Sequence, residues 1–168
     1  MSARRQRQMC IRDSNYSSTA MGAFTIASGY QSTAMGEQTT ASGTRSTAMN
    51  AFTMASGEAS TSMGYYTTAS DYGSLVIGQY NSSGSSATSA SSFSTSAPAF
   101  VIGNGTASNA RSDAFKVMFN GDTYVSSSLY IGGTAITSTA AEINLLDGVT
   151  TVGSGILSSV TENGNTGV

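Results

Sequence analysis

A fourteen-residue repeat constrains this chain more than any other feature. Written in blocks from Asn15, the sequence aligns without gaps as NYSSTAMGAFTIAS, GYQSTAMGEQTTAS, GTRSTAMNAFTMAS, GEASTSMGYYTTAS and the more divergent DYGSLVIGQYNSSG. A fixed period of this kind marks an architecture of stacked units that cannot bury their apolar faces singly. Ser18, Ser32, Ser46, Ser60 and Ser74 share one column. Ala20, Ala34, Ala48, Ser62 and Val76 share another, followed by Gly22, Gly36, Asn50, Gly64 and Gly78. Each block divides again into an S-x-A-x-G half and a T-x-A-x-G half, the second marked by Thr25, Thr39, Thr53 and Thr67 and by Ala27, Ala41, Ala55 and Ala69. Alternation within each half is the period of a strand. Glycine closing each half is expected to supply a turn through positive φ. One block therefore reads as two short strands and two turns, a single coil of a solenoid. Coils stack about 4.8 Å apart.

The small Ser/Ala/Gly face suits the narrow inside of such a coil. Its opposite face carries Thr19, Met21, Thr33, Met35, Thr47, Met49, Thr61 and Met63. A continuous Met stripe is too apolar to leave in water, so a second chain is expected to cover it. Tyr16, Phe24, Tyr30, Phe52, Tyr65 and Tyr66, at block edges, either close that interface or face outward.

Composition agrees. Leu, Ile, Val and Phe make up only about a sixth of the chain, below what an ordinary packed core uses. Charged residues are scarce too, at 10 %, so the chain lacks the high charge of typical disorder. There is no His or Trp, and one Cys, which excludes a disulfide framework and a Cys/His zinc site. No apolar run is long enough to insert in a membrane.

Residues 1–14 bear no likeness to the repeats. Four arginines within nine residues suggest a nucleic-acid-binding arm. A better account is that Arg4 to Ser14 matches, codon for codon, the translation of a transposon-end sequencing adapter, so this tail is set aside from fold reasoning. That removes Cys10 and leaves Arg45, Arg111 and Lys116 as the basic residues, with a net charge of about −5 and no nucleic-acid partner. On this reading the gene extends further at its 5′ end.

S-T-A-M-G-x-x-T-x-A-S-G, recurring every fourteen residues over 15–84, resembles the head repeats of YadA-type trimeric autotransporter adhesins. The resemblance implies a left-handed parallel β-roll, a homotrimer, and binding to a host-cell or matrix receptor. Met and Thr stand where that family usually has Val or Ile, until Ser74-Leu-Val-Ile-Gly78 returns to the common form.

Beyond the repeats, residues 85–98 read as a Ser/Thr/Ala-rich linker or degenerate coils, and 99–150 as a fibre stalk. Asp113 to Phe119 alternates as a strand, Asn120-Gly121 signals a type I′ hairpin, and Thr123 to Val125 returns. Thr139-Ala-Ala-Glu142 is a capping box for a short helix, with Ile143 and Leu146 on one face and Gly148 as its C-terminal cap. Residues 113–150 resemble segments of bacteriophage tail fibres, and 151–168 read as a flexible, truncated tail.

Catalysis lacks candidates. A general base needs a poised titratable group beside a partner, and Glu37, Glu58 and Asp71 fall in different coils. Asp122, Glu142 and Asp147 read as turn and cap residues. Gly132-Gly133 has no phosphate-loop context, and no Asp-rich loop suggests calcium. Asn-x-Ser/Thr triplets at Asn15, Asn81 and Asn104 are expected by chance. No catalytic, cofactor or metal residue is assigned, and ligand-binding residues stay unknown. The chain is read first as a non-enzymatic structural or adhesive phage tail fibre with a surface receptor. The alternative is the head of a bacterial trimeric adhesin. A remote third reading is an ice-binding solenoid using the Thr19 and Thr25 ladders.

Overall fold

The computed structural model describes residues 11–13 and 17–144. It divides into two compact units, Met1–Ser127 and Ser128–Val168.

The first unit is the expected parallel solenoid. Its strands are β1 (Ile11–Asp13), β2 (Thr19–Ala23), β3 (Thr25–Ala27), β4 (Thr33–Glu37), β5 (Thr40–Ala41), β6 (Thr47–Ala51), β7 (Met54–Ala55), β8 (Thr61–Tyr65), β9 (Thr68–Ala69) and β10 (Leu75–Gln79). The even strands stack in one parallel sheet and the odd ones in the other. The register steps by fourteen residues, so that Ala20 pairs with Ala34, and Ala34 with Ala48. Four coils are complete. The fifth block supplies only β10, because its second half, Asn81 to Gly84, forms no strand. Pairing of β1 with β3 is main-chain addition to an exposed parallel edge, which depends little on sequence.

The interior is as small as the sequence suggests. Ala20, Ala27, Ala34, Ala41, Ala48 and Ala55 form one buried cluster, and Ala69, Val76 and Val101 another. An Ala side chain is one methyl, worth about 0.8 kcal/mol when buried, so the main-chain ladders between coils carry much of the cohesion. The inner serines close the corners: Ser32, Ser60 and Ser74 hydroxyls donate to the carbonyls of Gly29, Gly57 and Asp71 at 2.7–2.8 Å.

Glycine plays two roles, only one of them expected. Gly22, Gly36, Gly64 and Gly78 do adopt positive φ. Gly29, Gly43 and Gly57 do not. A Cβ on Gly43 would lie 2.1 Å from the Gly57 carbonyl oxygen of the next coil, so this column is glycine for lack of room. The corners instead place positive φ on Phe24, Gln38, Phe52, Tyr66 and Tyr80, and on Gln31, Arg45 and Ala59. Non-glycine residues rarely adopt this conformation. Here the neighbouring coils over-determine it, since Gln38, Phe52, Tyr66 and Tyr80 each donate their amide to the coil before.

Residues 82–97 form a loop bound to the coils, without strands. Asp71 holds it: one carboxylate oxygen accepts from the amides of Thr88 and Ser89 at 2.5 and 2.7 Å. Asp71 occupies the glycine column at the first position where no further coil presses on it. The chain then returns as β11 (Pro98–Asn104), parallel to β10, with Val76 opposite Val101. β12 (Asp113–Met118) and β13 (Thr123–Val125) continue the same sheet antiparallel.

The hairpin between β12 and β13 is present, but not as the two-residue type I′ turn expected. Gly121 has φ +94 while Asn120 is not in the left-handed region, and the Gly121 amide donates to the Met118 carbonyl at 3.0 Å. This is a three-residue loop, a type I turn closed by a left-handed glycine. The reason is local. Asn120 Oδ1 accepts from the Asp122 amide at 3.0 Å and its Nδ2 donates to the Asp122 carboxylate at 2.7 Å, an Asx turn that keeps Asn120 at negative φ.

In the second unit β14 (Tyr130–Ile131) and β15 (Thr134–Ala135) pair antiparallel across Gly132-Gly133. Both glycines have positive φ, +58 and +83, as type I′ geometry requires. Helix α1 (Ala140–Asn144) starts with the expected capping box. The Glu142 amide donates to Thr139 Oγ1 at 3.2 Å, and the Thr139 amide donates to the Glu142 carboxylate at 2.7 Å. Tyr16, Leu146, Asp147 and Gly148 lie outside the described residues.

Candidate interaction surfaces

The register of the larger sheet defines its two faces. Val76 and Val101 point inward and are fully buried, so their neighbours along the strands point out. One outward row runs Met21, Met35, Met49, Met63, Ile77, Ile102, Phe115, Val125. A parallel row runs Thr19, Thr33, Thr47, Thr61, Leu75, Phe100, Val117, Thr123. Side chains within each row are exposed or half-buried. The Met stripe read from the repeats is therefore the first half of an apolar band that extends through the non-repeating strands. Phe100 and Phe115 meet edge to face within it, with ring centroids 6.2 Å apart.

A second surface is the corner after the longer strands. Phe52, Tyr66 and Tyr80 stack parallel, with centroids 4.5 and 4.9 Å apart, and Tyr65 sets its ring at right angles to all three. The fourteen-residue step puts one aromatic above the next. Desolvation raises the Tyr80 phenol above its ordinary pKa, and the neighbouring Tyr65 and Tyr66 raise it further, while Arg111 works the other way. Phe24 and Tyr30 are exposed at their own corners.

The two threonine ladders separate. Thr25, Thr39, Thr53 and Thr67 are buried. They face the interior because they share a strand face with the inner alanines, so the ice-binding reading loses this ladder. The Thr19 row stays outward but lies beside the Met row.

Most of the described carboxylates are engaged in the fold. Glu58 pairs with Arg45 on the adjacent coil, and Asp122 sits in the hairpin loop. The two oxygens of Asp113 accept from the amides of Ser82 and Ser83, both at 2.8 Å. Among the described residues no three His, Cys, Asp or Glu gather as metal ligands.

Sequence reasoning missed the residues that close the solenoid. Asn81 is buried. Its Oδ1 accepts from the Thr68 amide at 2.8 Å, and its Nδ2 donates to the Thr68 carbonyl at 2.9 Å and to the Ser83 carbonyl at 2.7 Å. The side-chain amide thus stands in for the strand that the fifth coil lacks, which leaves this sequon no free nitrogen. Its signal was the break in the T-x-A column: Asn81 follows Tyr80 where Thr follows the corner residue in the four earlier blocks.

Comparison with known proteins agrees with this geometry. The YadA head domain repeat family matches residues 14–36, 27–49 and 55–81. The chain carries YadA-type head repeats. The matches fall on the stacked coils and end at Asn81, where the coil pattern stops. No curated protein and no solved structure matches the chain. None of the family matches falls on 113–150, the segment resembling phage tail fibres.

Proposed function

We propose that the chain is part of the head of a trimeric surface adhesin, displayed outside the cell, that binds a host-cell or matrix receptor. The YadA-type repeats over 14–49 and 55–81 carry this reading. They reverse the order of the sequence readings, placing the bacterial adhesin before the phage tail fibre. The apolar band supports the trimer. An interior of Ala, Ser and Thr leaves the larger apolar side chains on the outward face of one sheet, from Met21 to Val125, and a second and third copy cover it. This is the same hydrophobic burial that one coil cannot provide alone.

Sedimentation of the full chain tests this. The expected mass is that of three chains with a β-rich circular dichroism spectrum. Ile77→Lys with Phe115→Lys places two charges in the band and is expected to give β-rich monomers. A wild-type monomer with intact β-structure would sink the trimer reading.

A further inference from the structure

We infer that the hollow beside β12 and β13 binds an acidic saccharide. The hollow, about 370 Å³, is lined by Ser82, Arg111, Ser112, Asp113, Lys116, Tyr124 and Ser126. Lys116 pairs across the sheet with Val101 and with Tyr124. Val101 points into the solenoid, so Lys116 and Tyr124 lie on the inner side of the sheet, past the last coil. They face away from the apolar band, and a trimer closed through that band leaves them open.

The charges there are held ready for an anion. Arg45, the other basic side chain described, is satisfied by Glu58. Among the described residues neither Arg111 nor Lys116 forms an ion pair. One guanidinium nitrogen of Arg111 donates to the carbonyls of Tyr66 and Asn81, at 3.3 and 3.1 Å, which fixes the fork and leaves its other donors. Lys116 Nζ sits 4.5 Å from the Tyr124 ring centre. Asp113 adds a negative charge, but both its oxygens are taken by backbone amides. Two cations against one carboxylate leave a local positive site in a chain of net charge −2.

The rest of the rim favours a sugar over an acidic peptide. Ser112 donates its hydroxyl proton to Asn104, at 2.7 Å, and Ser126 donates to the Asp113 carbonyl. Each oxygen then keeps lone pairs that accept from sugar hydroxyls. Tyr124 is half exposed and offers an amphipathic ring to a sugar face. A carboxylated and a sulfated sugar share this chemistry: an anion on Arg111 and Lys116 with hydroxyls on the serine rim.

The inference names a receptor class for the adhesive reading but stands on its own geometry. Calorimetric titration of the full chain uses four probes: a hyaluronan hexasaccharide, a heparin-derived hexasaccharide, maltohexaose and hexaglutamate. Binding of either acidic saccharide without maltohexaose is expected, and which of the two binds identifies the anion. Lys116→Gln is expected to weaken binding about tenfold, the worth of one charge-assisted hydrogen bond. Tyr124→Ala, an exposed edge-strand change, is expected to weaken it as well. Absence of binding to both acidic saccharides, equal affinity for hexaglutamate, or indifference to both substitutions would overturn the inference. Sedimentation of the same samples keeps the readings apart, since trimers that bind no acidic saccharide refute this inference alone.

Discussion

The four complete coils and the segment that closes them solve one problem by different means. Within the coils the backbone of each turn is satisfied by the backbone of the next, and side chains contribute chiefly by being small. At the closing end no next turn exists. There side chains supplement the backbone partners that β11 and the 82–97 loop provide: Asn81 for the Thr68 peptide, Asp71 for the amides of Thr88 and Ser89, Asp113 for those of Ser82 and Ser83, and Arg111 for two carbonyls. Repetition lets a chain with few large apolar residues satisfy its main chain, but where it stops after the fourth coil specific polar side chains are called in. A buried peptide group without a partner costs too much to leave.

If backbone proximity sets the limits in the coils, adding one methyl there is the most damaging change available. Gly43→Ala places a Cβ 2.1 Å from the Gly57 oxygen and cannot be relieved by a rotamer. A loss of about 3–5 kcal/mol, in the range of severe overpacking, is expected in urea unfolding. Gly121→Ala is the control at the closing end. It meets nothing within 4 Å but has φ +94, so only the conformational penalty of about 1–2 kcal/mol applies. Equal effects of the two substitutions would mean that the coils yield to the added methyl, and that contact between them does not set the Gly43 column.

Asn81→Ala tests the closing end directly. It strips three hydrogen bonds and leaves the Thr68 amide and carbonyl without them, for an expected cost of about 2–4 kcal/mol. Hydrogen exchange should report it as faster exchange at Thr68 with little change at Thr40. Uniform acceleration along the solenoid would show instead that the whole stack opens as one unit.

These two regions were not equally legible in the sequence. Strand period, coil length, the inner Ala column and the outward Met row were readable because each recurs at the same position in successive blocks. Repetition substitutes for the contacts a single sequence does not show. The closing residues occur once. Asn81 and Asp71 look like lapses in the repeat until the missing fifth coil explains them, and Arg111 and Asp113 have no local pattern at all. The hairpin at Asn120-Gly121 was readable as a hairpin but not as a turn type, because the competing bond from Asn120 to Asp122 decides the geometry. The second role of glycine was hidden for a related reason: sequence reports that a side chain is absent, not whether φ or space requires it.

Smaller effects separate satisfied from unsatisfied hydroxyls in the coil interior. The Thr67 hydroxyl shares a hydrogen bond with Ser62 at 2.8 Å, whereas the Thr39 hydroxyl, one column member away from Thr53, is buried without a partner. Thr39→Val replaces an unpaired buried oxygen with a methyl of the same shape and is expected to raise stability by about 1 kcal/mol. Thr67→Val is expected to lower it by about the same amount, since Ser62 is then left unpaired. Thermal melts of the two variants should move in opposite directions. A shift of the same sign in both would place the interior's cohesion outside its hydroxyl pairing.

The smallest effect belongs to the cap at α1, where the partner is a charged and exposed side chain, not a buried amide. The Thr139 backbone and side-chain hydrogen bonds hold the Glu142 carboxyl below its ordinary value of 4.5. A lowered folded-state pKa means that the carboxylate stabilises the cap above the unfolded value and stops doing so as pH falls through the folded one. The Thr139 amide resonance is therefore expected to titrate below pH 4.5 while that of Thr68, which donates to the uncharged Asn81 side chain, stays put. Glu142→Gln keeps an acceptor but removes the charge, so it should abolish that titration without abolishing the cap. A pH-dependent Thr68 resonance would mean that the closing end has an acid-sensitive opening of its own, and that the amide at Asn81 does not insulate the solenoid from pH.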